Sequence, residues 1–142
     1  MLGFSVTAGR LIIAFVLGSM IGFERERKKR MAGLRTHILV CMGSALIMLT
    51  SLHVWEIYQG KAMIDPGRIA AGVVTGIGFL GAGTIIRSAE GVKGLTTAAS
   101  IWISSAIGLA VGCGYFSAAI TTTAIVYLVL SFLKKIEKDA GF

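Results

Sequence analysis

The sequence predicts an all-α membrane protein of five transmembrane helices, with its N-terminus outside and its C-terminus in the cytoplasm. Two features of composition and one of charge predict this class. Of the 142 residues, 55% are hydrophobic and only 15% are charged, against about 25% charged in soluble domains. Lys and Arg also collect between alternate uncharged stretches. This composition excludes a disordered chain, a coiled coil and most soluble enzymes of this size.

The uncharged stretches define the predicted helices. Because lipid offers the backbone no hydrogen-bond partner, a spanning segment must be a helix of about 20 apolar residues. The stretch from Gly94 to Leu133 is too long for one span, and the glycines Gly112 and Gly114 favour a turn within it. The predicted helices cover residues 5–23, 37–57, 68–87, 95–112 and 115–133. We expect residues 1–142 to form a single transmembrane domain without a soluble C-terminal domain.

The distribution of positive charge predicts the orientation. Loops that stay in the cytoplasm carry the excess of Lys and Arg. The first loop, the third connection and the C-terminal tail hold eleven of these residues, and the other side holds three. The net charge of +7 is therefore interpreted as a topology signal, and no nucleic-acid partner is expected. The basic run Arg25–Arg30 follows the first apolar stretch, which argues against a cleaved signal peptide.

Small residues predict how the helices pack. Helices in lipid associate through close contact of small side chains and through interhelical hydrogen bonds. The first helix has a stripe of small residues, and the third has glycines on opposite sides. We therefore expect the third helix to lie at the centre of the bundle. The glycines predicted to pack are Gly18, Gly22, Gly72, Gly76, Gly78, Gly81 and Gly83.

The fourth helix has a polar stripe of hydroxyl groups. Thr97, Ser100, Ser104 and Gly108 share one face, and Trp102 lies on the other. Two interpretations remain open. The hydroxyls bond carbonyls of their own helix, or they form a polar seam that faces the third helix or a small aqueous path.

Charged residues at the inner edge are the main functional candidates. Cations alone would orient the chain, so Glu24 and Glu26 need another explanation. Half-buried charges at a membrane face need partners, and the predicted partners are Arg35, Arg87 or Lys93. Arg35 and His37 are alternatively suited to an anionic headgroup or a protein partner. The candidates at this edge are Glu24, Arg25, Glu26, Arg35, Thr36 and His37.

At the outer side, Asp65 has the features of an N-cap for the third helix, with Pro66 at the first helical position. Asp65 and Glu56 are weak candidates for a cation site, since one or two carboxylates can suffice for Mg²⁺. The sequence demonstrates no cofactor, and Mg²⁺ is the one ion considered. Arg10 either extends towards the outer water or pairs with Glu56 or Asp65.

One short motif is misleading. Gly76–Gly81 matches the G-x-G-x-x-G pattern, but it lies inside an apolar helix and no acidic residue follows about 20 positions on. The chain also shows no phosphate-binding loop and no catalytic constellation. We therefore expect a protein that is not an enzyme.

Several long blocks resemble the MgtC/SapB family of bacterial membrane proteins. The blocks are Gly22–Glu26, Ala32–His37, Asp65–Ala71, Gly76–Ile85 and Gly94–Trp102. The resemblance covers nearly the whole chain in order. Within these blocks, the further candidate residues are Asp65, Arg68, Thr96, Thr97 and Ser100, and Thr96 stands where some relatives have Asn.

The resemblance implies a multi-pass protein of the bacterial inner membrane that supports growth when magnesium is scarce. It further implies that the protein regulates other membrane proteins, such as the proton-driven ATP synthase, and in some relatives aids survival inside host cells. We expect a homo-oligomer, with a dimer favoured, and a membrane-protein partner. The alternative function is a transporter or channel for Mg²⁺ or another small solute.

Overall fold

The computed structural model describes residues 3–59, 63–89 and 91–133. Five α-helices and one antiparallel hairpin follow one another in these residues. The elements are α1 (Phe4–Arg27), α2 (Leu34–Tyr58), α3 (Pro66–Gly83), β1 (Ile86–Ser88), β2 (Gly91–Lys93), α4 (Leu95–Cys113) and α5 (Phe116–Leu128), which continues as a π-helical turn (Val129–Leu133). The five predicted helices are therefore confirmed as helices.

Three of the described helices, α1, α2 and α4, are long and apolar enough to cross a membrane. The segment Phe116–Phe132 is a shorter apolar helix. Many large apolar side chains on these helices are exposed, among them Ile12, Phe15, Leu39 and Ile120. Such faces suit lipid rather than water, as expected of a membrane protein. That all five helices span, and in which orientation, stays a prediction.

The third helix ends earlier than the sequence predicted. It stops at Gly83, and the residues up to 87 leave the helix to begin a short hairpin. In this hairpin Ile86 pairs with Lys93 and Arg87 with Val92. Gly94 follows with a positive φ of 95°, and a Cβ there would overlap the carbonyl oxygen of Thr84. An uncharged stretch marks apolar residues but does not distinguish a helix from a strand of β-branched residues.

The centre of the bundle lies between α2 and α4. A Cβ at Gly108 would overlap the carbonyl oxygen of Cys41, and one at Gly112 would lie 2.6 Å from the carbonyl oxygen of Ala45. The two backbones therefore touch along this contact. The helix α1 also packs closely against α2, because a Cβ at Gly18 would lie 2.9 Å from the carbonyl oxygen of His37. The apolar core around these contacts consists mainly of Ala14, Leu17, Ile21, Cys41, Ala45, Ile107 and Val111.

The predicted central position of the third helix is wrong. Only Val73 and Gly81 of α3 are buried. A Cβ at Gly81 would contact Ala98 of α4 at 3.7 Å. The other predicted packing glycines, Gly72, Gly76, Gly78 and Gly83, would meet nothing within 4 Å. Glycine spacing shows where a close approach is permitted, but it does not show whether a neighbour is there.

Candidate functional site

A cluster of buried polar side chains lies at the end of the bundle where α1 ends and α2 and α4 begin. We call this the basic end, because the loop between α1 and α2 carries Lys28, Lys29 and Arg30. The polar cluster consists of Glu24, Arg25, Lys28, His37, Thr97 and Ser100. All except Lys28 are buried. Polar groups so deeply buried need partners, and the partners come from different helices.

Arg25 joins α1 to α4. It follows Ile21 by one turn, so the helical repeat carries it along the buried face of α1. Its side chain is 3% exposed. The Nη2 atom donates a hydrogen bond to Thr97 Oγ1 at 3.0 Å, 72 positions away in sequence. A guanidinium buried so far from water must retain this bond, because an unpaired buried charge is costly.

His37 joins α2 to α4 through both ring nitrogens. Nδ1 lies 2.8 Å from the carbonyl oxygen of Gly33, and Nε2 lies 3.0 Å from Ser100 Oγ. Ser100 Oγ also lies 2.8 Å from the carbonyl oxygen of Thr97. A carbonyl only accepts, so Nδ1 must carry a proton.

This geometry couples the imidazole to the serine proton. Ser100 has a single hydroxyl proton, which goes either to Thr97 or to His37 Nε2. With a neutral ring, only one of these two contacts is a hydrogen bond at a time. With a protonated ring, Nε2 donates to Ser100, which donates onward to Thr97. The cluster therefore has two hydrogen-bond arrangements that differ by one proton.

Glu24 and Lys28 join α1 to the end of α5. Glu24 Oε1 lies 2.7 Å from Lys28 Nζ. The same ammonium donates to the carbonyl oxygens of Leu130 at 2.7 Å and Ser131 at 3.2 Å. Glu24 is 1% exposed, and its Oε2 has no hydrogen-bond partner in the described part of the chain. The sequence prediction named three other cations for Glu24 and missed Lys28, although a spacing of four residues on a helix brings two side chains together.

Glu26 closes the loop between α1 and α2. Its Oε2 accepts a hydrogen bond from the backbone N–H of Leu34 at 2.9 Å. Leu34 is the first residue of α2, so the carboxylate satisfies one of the free N–H groups at the start of that helix. A Cβ at Gly33 would overlap this carboxylate oxygen. Glu26 therefore shapes the loop and lies outside the polar cluster.

The remaining candidates at the basic end do not join the cluster. Arg35 and Thr96 are exposed, and Thr36 is half-buried. Within the described residues, the side chains of Arg35 and of the exposed Arg27 form no hydrogen bond or ion pair.

The hydroxyl groups of the α4 polar stripe bond both carbonyls of their own helix and side chains of neighbouring helices. Ser104 Oγ donates to the carbonyl oxygen of Ser100 at 2.8 Å, within its own helix. Thr97 and Ser100 in addition bond side chains of α1 and α2. The predicted seam towards the third helix is therefore wrong in direction: Arg25 and His37 meet the stripe instead, and Gly108 on the same face packs against α2.

At the opposite end of the bundle, Asp65 caps α3. Its Oδ1 accepts from the backbone N–H of Gly67 at 2.8 Å, with Pro66 at the first helical position. Asp65 and Arg68 are exposed, and Glu56 is half-buried on the last turns of α2. Among the residues that the structure describes, no three His, Cys, Asp or Glu side chains lie close enough together to hold a metal ion.

Two connections at this end were not foreseen from the sequence. Arg10 Nη1 donates to the carbonyl oxygen of Gly112 at 2.7 Å and so joins α1 to the end of α4. In this contact the partner of Arg10 is a carbonyl oxygen and neither Glu56 nor Asp65. Ser51 Oγ donates to the carbonyl oxygen of Pro66 at 2.5 Å and joins α2 to the start of α3. A buried serine gives no sequence signal for a partner that only the fold supplies.

These features define a class: a helical membrane protein whose apolar helices are joined at both ends by buried polar contacts. The chain belongs to the MgtC family, whose model matches residues 11–139. This confirms the resemblance seen in the sequence.

Relatives from three bacteria align with most of the chain. YhiD of Escherichia coli (strain K12), named as a candidate magnesium transporter, is 45% identical over 123 residues, 85% of this chain and 57% of YhiD. The MgtC protein of Salmonella typhimurium (strain LT2) is 47% identical over 116 residues, 82% of this chain and 47% of that protein. The MgtC protein of Brucella abortus is 42% identical over 136 residues, 96% of this chain and 55% of that protein. The chain thus spans about half the length of these relatives. No solved structure matches it.

Proposed function

We propose that this chain is a non-enzymatic, multi-pass protein of the bacterial inner membrane that acts in magnesium homeostasis by contacting other membrane proteins. The magnesium part of the proposal rests on the relatives, one of which is named for magnesium transport. The family membership and the three apolar helices support the membrane location. The proton-driven ATP synthase is the proposed partner.

The observation that favours regulation over transport is how the buried polar groups are used. Arg25, His37 and Lys28 each bond an atom of another helix. These bonds hold α1, α2, α4 and α5 to one another. A carrier instead needs polar groups that face its solute near the middle of the membrane. The cluster is built to keep the helices together, which suits a protein that presents a stable surface to a partner.

A homo-oligomer, with a dimer favoured, is part of the same proposal. The exposed side of α3 supports it. Gly78 and Ala82 are exposed and Gly78 has open space beside it, and small residues at four-residue spacing allow two helices in lipid to approach closely.

The transporter remains the second candidate because of one structural feature. The carboxylate of Glu24 is buried and has a free oxygen in the described part of the chain. Ionisable groups within membrane segments often belong to ion pathways.

Two measurements separate the candidates. The purified chain in liposomes should show no saturable Mg²⁺ flux above protein-free liposomes. In parallel, inverted membrane vesicles that contain the chain should show less ATP-driven proton pumping than matched vesicles without it. Saturable flux that Glu24→Gln abolishes would favour the transporter. Unchanged pumping together with absent flux would reject the ATP synthase as the partner.

A further inference from the structure

A lipid-facing groove runs along α1 towards the basic end of the bundle. Its volume is about 560 Å³, and it is bounded by α2 on one side and Tyr127 of α5 on the other. The lining residues are Phe15, Val16, Ser19, Met20, Phe23, Leu34, Ile38 and Tyr127. From Phe15 to Phe23 the helix rises about 12 Å. The groove therefore extends about 12 Å along α1 and is lined mainly by apolar side chains, which suits part of a lipid acyl chain.

Two exposed arginines, Arg27 and Arg35, follow the lining residues of the groove in sequence. Phe15, Ser19 and Phe23 follow one another at intervals of four residues, and Arg27 continues the series one turn later. Helical side chains tend to lean towards the N-terminus of their helix, which for Arg27 is the direction of Phe23 and the groove. From α2, Arg35 directly follows the lining residue Leu34. Both arginines are exposed and without a polar partner among the described residues.

The balance of charge around the mouth of the groove favours an anion. Lys29 is exposed and Arg30 is half-buried in the same loop. Glu26 is the acidic residue on this side of α1, and its Oε2 is engaged with the backbone of Leu34. Lys28 and Arg25 are already engaged within the polar cluster. Outside the polar cluster, residues 26–35 thus carry four cations and one carboxylate.

We propose that this groove is a binding site for an anionic phospholipid, with one acyl chain along α1 and the phosphate between Arg27 and Arg35. Arginine binds phosphate through two parallel N–H groups. Basic residues beside membrane helices bind anionic headgroups. The site gives the exposed arginine Arg35 a ligand, and it lies on the side of α1 away from the polar cluster. The proposal holds whichever solute or protein the chain acts on.

The test uses the full chain in detergent micelles, titrated with phosphatidylglycerol or with phosphatidylcholine of the same acyl chains. Native mass spectrometry gives the affinity of each lipid. The parent protein should bind phosphatidylglycerol at least tenfold more tightly. Each of Arg27→Gln and Arg35→Gln should weaken that binding about fivefold, the factor for one basic residue near an anionic surface. Arg68→Gln, an exposed arginine at the opposite end, is the matched control and should leave it unchanged.

A second variant tests the groove itself. Ser19→Phe fills its middle and should weaken binding of both lipids while keeping the preference for phosphatidylglycerol. Inorganic phosphate at the same concentration should not displace the lipid, because it has no acyl chain. Equal binding of the two lipids by the parent would overturn the proposal and leave the arginines to a protein partner. Equal losses in Arg68→Gln and Arg27→Gln would also overturn it.

Discussion

Gly108 is the position at which the fold should be most sensitive to one added methyl group. It lies where α4 touches α2, and a Cβ there would overlap the carbonyl oxygen of Cys41. The same Cβ would lie 2.8 Å from Ser44 Cβ. The first of these obstacles is backbone, which cannot turn aside as a flexible side chain would. In Gly108→Ala the two helices must therefore separate.

The matched control is Gly76→Ala on α3. A Cβ at Gly76 would meet nothing within 4 Å, so this substitution changes only the backbone preference of the helix. Alanine is favoured over glycine in a helix by about 1 kcal/mol. Gly76→Ala should therefore leave stability unchanged or raise it by up to about 1 kcal/mol.

The magnitudes at Gly108 follow from two opposing effects. Overpacking in a close-packed interior costs about 1–3 kcal/mol. Because the obstacle at Gly108 is backbone, we place the cost of Gly108→Ala at the upper end of this range, about 3 kcal/mol. The gain in helix preference offsets about 1 kcal/mol of this. The net loss of about 2 kcal/mol should lower the melting temperature by roughly 8 °C for a chain of this size.

The assay is thermal unfolding of the parent and both variants, purified in the same detergent and followed by far-ultraviolet circular dichroism. The order of melting temperatures should be Gly108→Ala lowest, then the parent, then Gly76→Ala. If Gly108→Ala melted at or above the parent, α2 and α4 would not be in backbone contact. If Gly76→Ala melted well below the parent, α3 would have a neighbour that the single chain does not contain.

Three further predictions follow from the buried contacts and the exposed residues. Arg25→Ala should destabilise the protein by about 2 kcal/mol, since a hydrogen bond to a charged group contributes about 1.5–3 kcal/mol. Arg27 is exposed and has no polar partner in the described residues, so Arg27→Ala should change the free energy of unfolding by less than about 0.5 kcal/mol. Chemical unfolding in detergent measures both changes. A membrane-impermeant thiol reagent added to intact cells should label the exposed Cys113 and leave the buried Cys41 unmodified. If Cys113 were labelled only after the membrane had been opened, the orientation would be the reverse of the predicted one. Arg35→Ala should slow growth in low magnesium while normal amounts of protein reach the membrane, as membrane fractionation would show. Normal growth would mean that Arg35 is not needed for this function.

The sequence predicted the helices better than their arrangement. The predicted ranges 37–57 and 95–112 agree within three residues with Leu34–Tyr58 and Leu95–Cys113, because the lengths of uncharged stretches reflect the thickness of the apolar layer. The end of α3 was missed, because Ile85 and Ile86 are apolar in a helix and in a strand alike. Hydropathy measures how strongly a segment prefers an apolar environment, and it does not indicate which helix packs against which.

The candidate site was predicted residue by residue but not as a cluster. Glu24, Arg25, His37, Thr97 and Ser100 were all singled out from the sequence. That they meet depends on the contacts of α1 and α4 with α2, which place residues 72 and 63 positions apart within hydrogen-bond distance. Only the pairing of Glu24 with Lys28 could have been read locally, from their spacing of four residues.

The contact between Lys28 and α5 has a consequence for the order in which the protein is made. Glu24 lies in the last turn of α1 and Lys28 directly follows that helix, so they can pair as soon as the helix has entered the membrane. The carbonyl oxygens of Leu130 and Ser131 are synthesised 102 and 103 residues later than Lys28. Until those two residues have been synthesised, the carboxylate of Glu24 is the partner available to the ammonium of Lys28. The bond between α1 and the end of α5 can therefore form only after the other helices described here have been made, and a chain interrupted before Leu130 would keep its ion pair but not this bond.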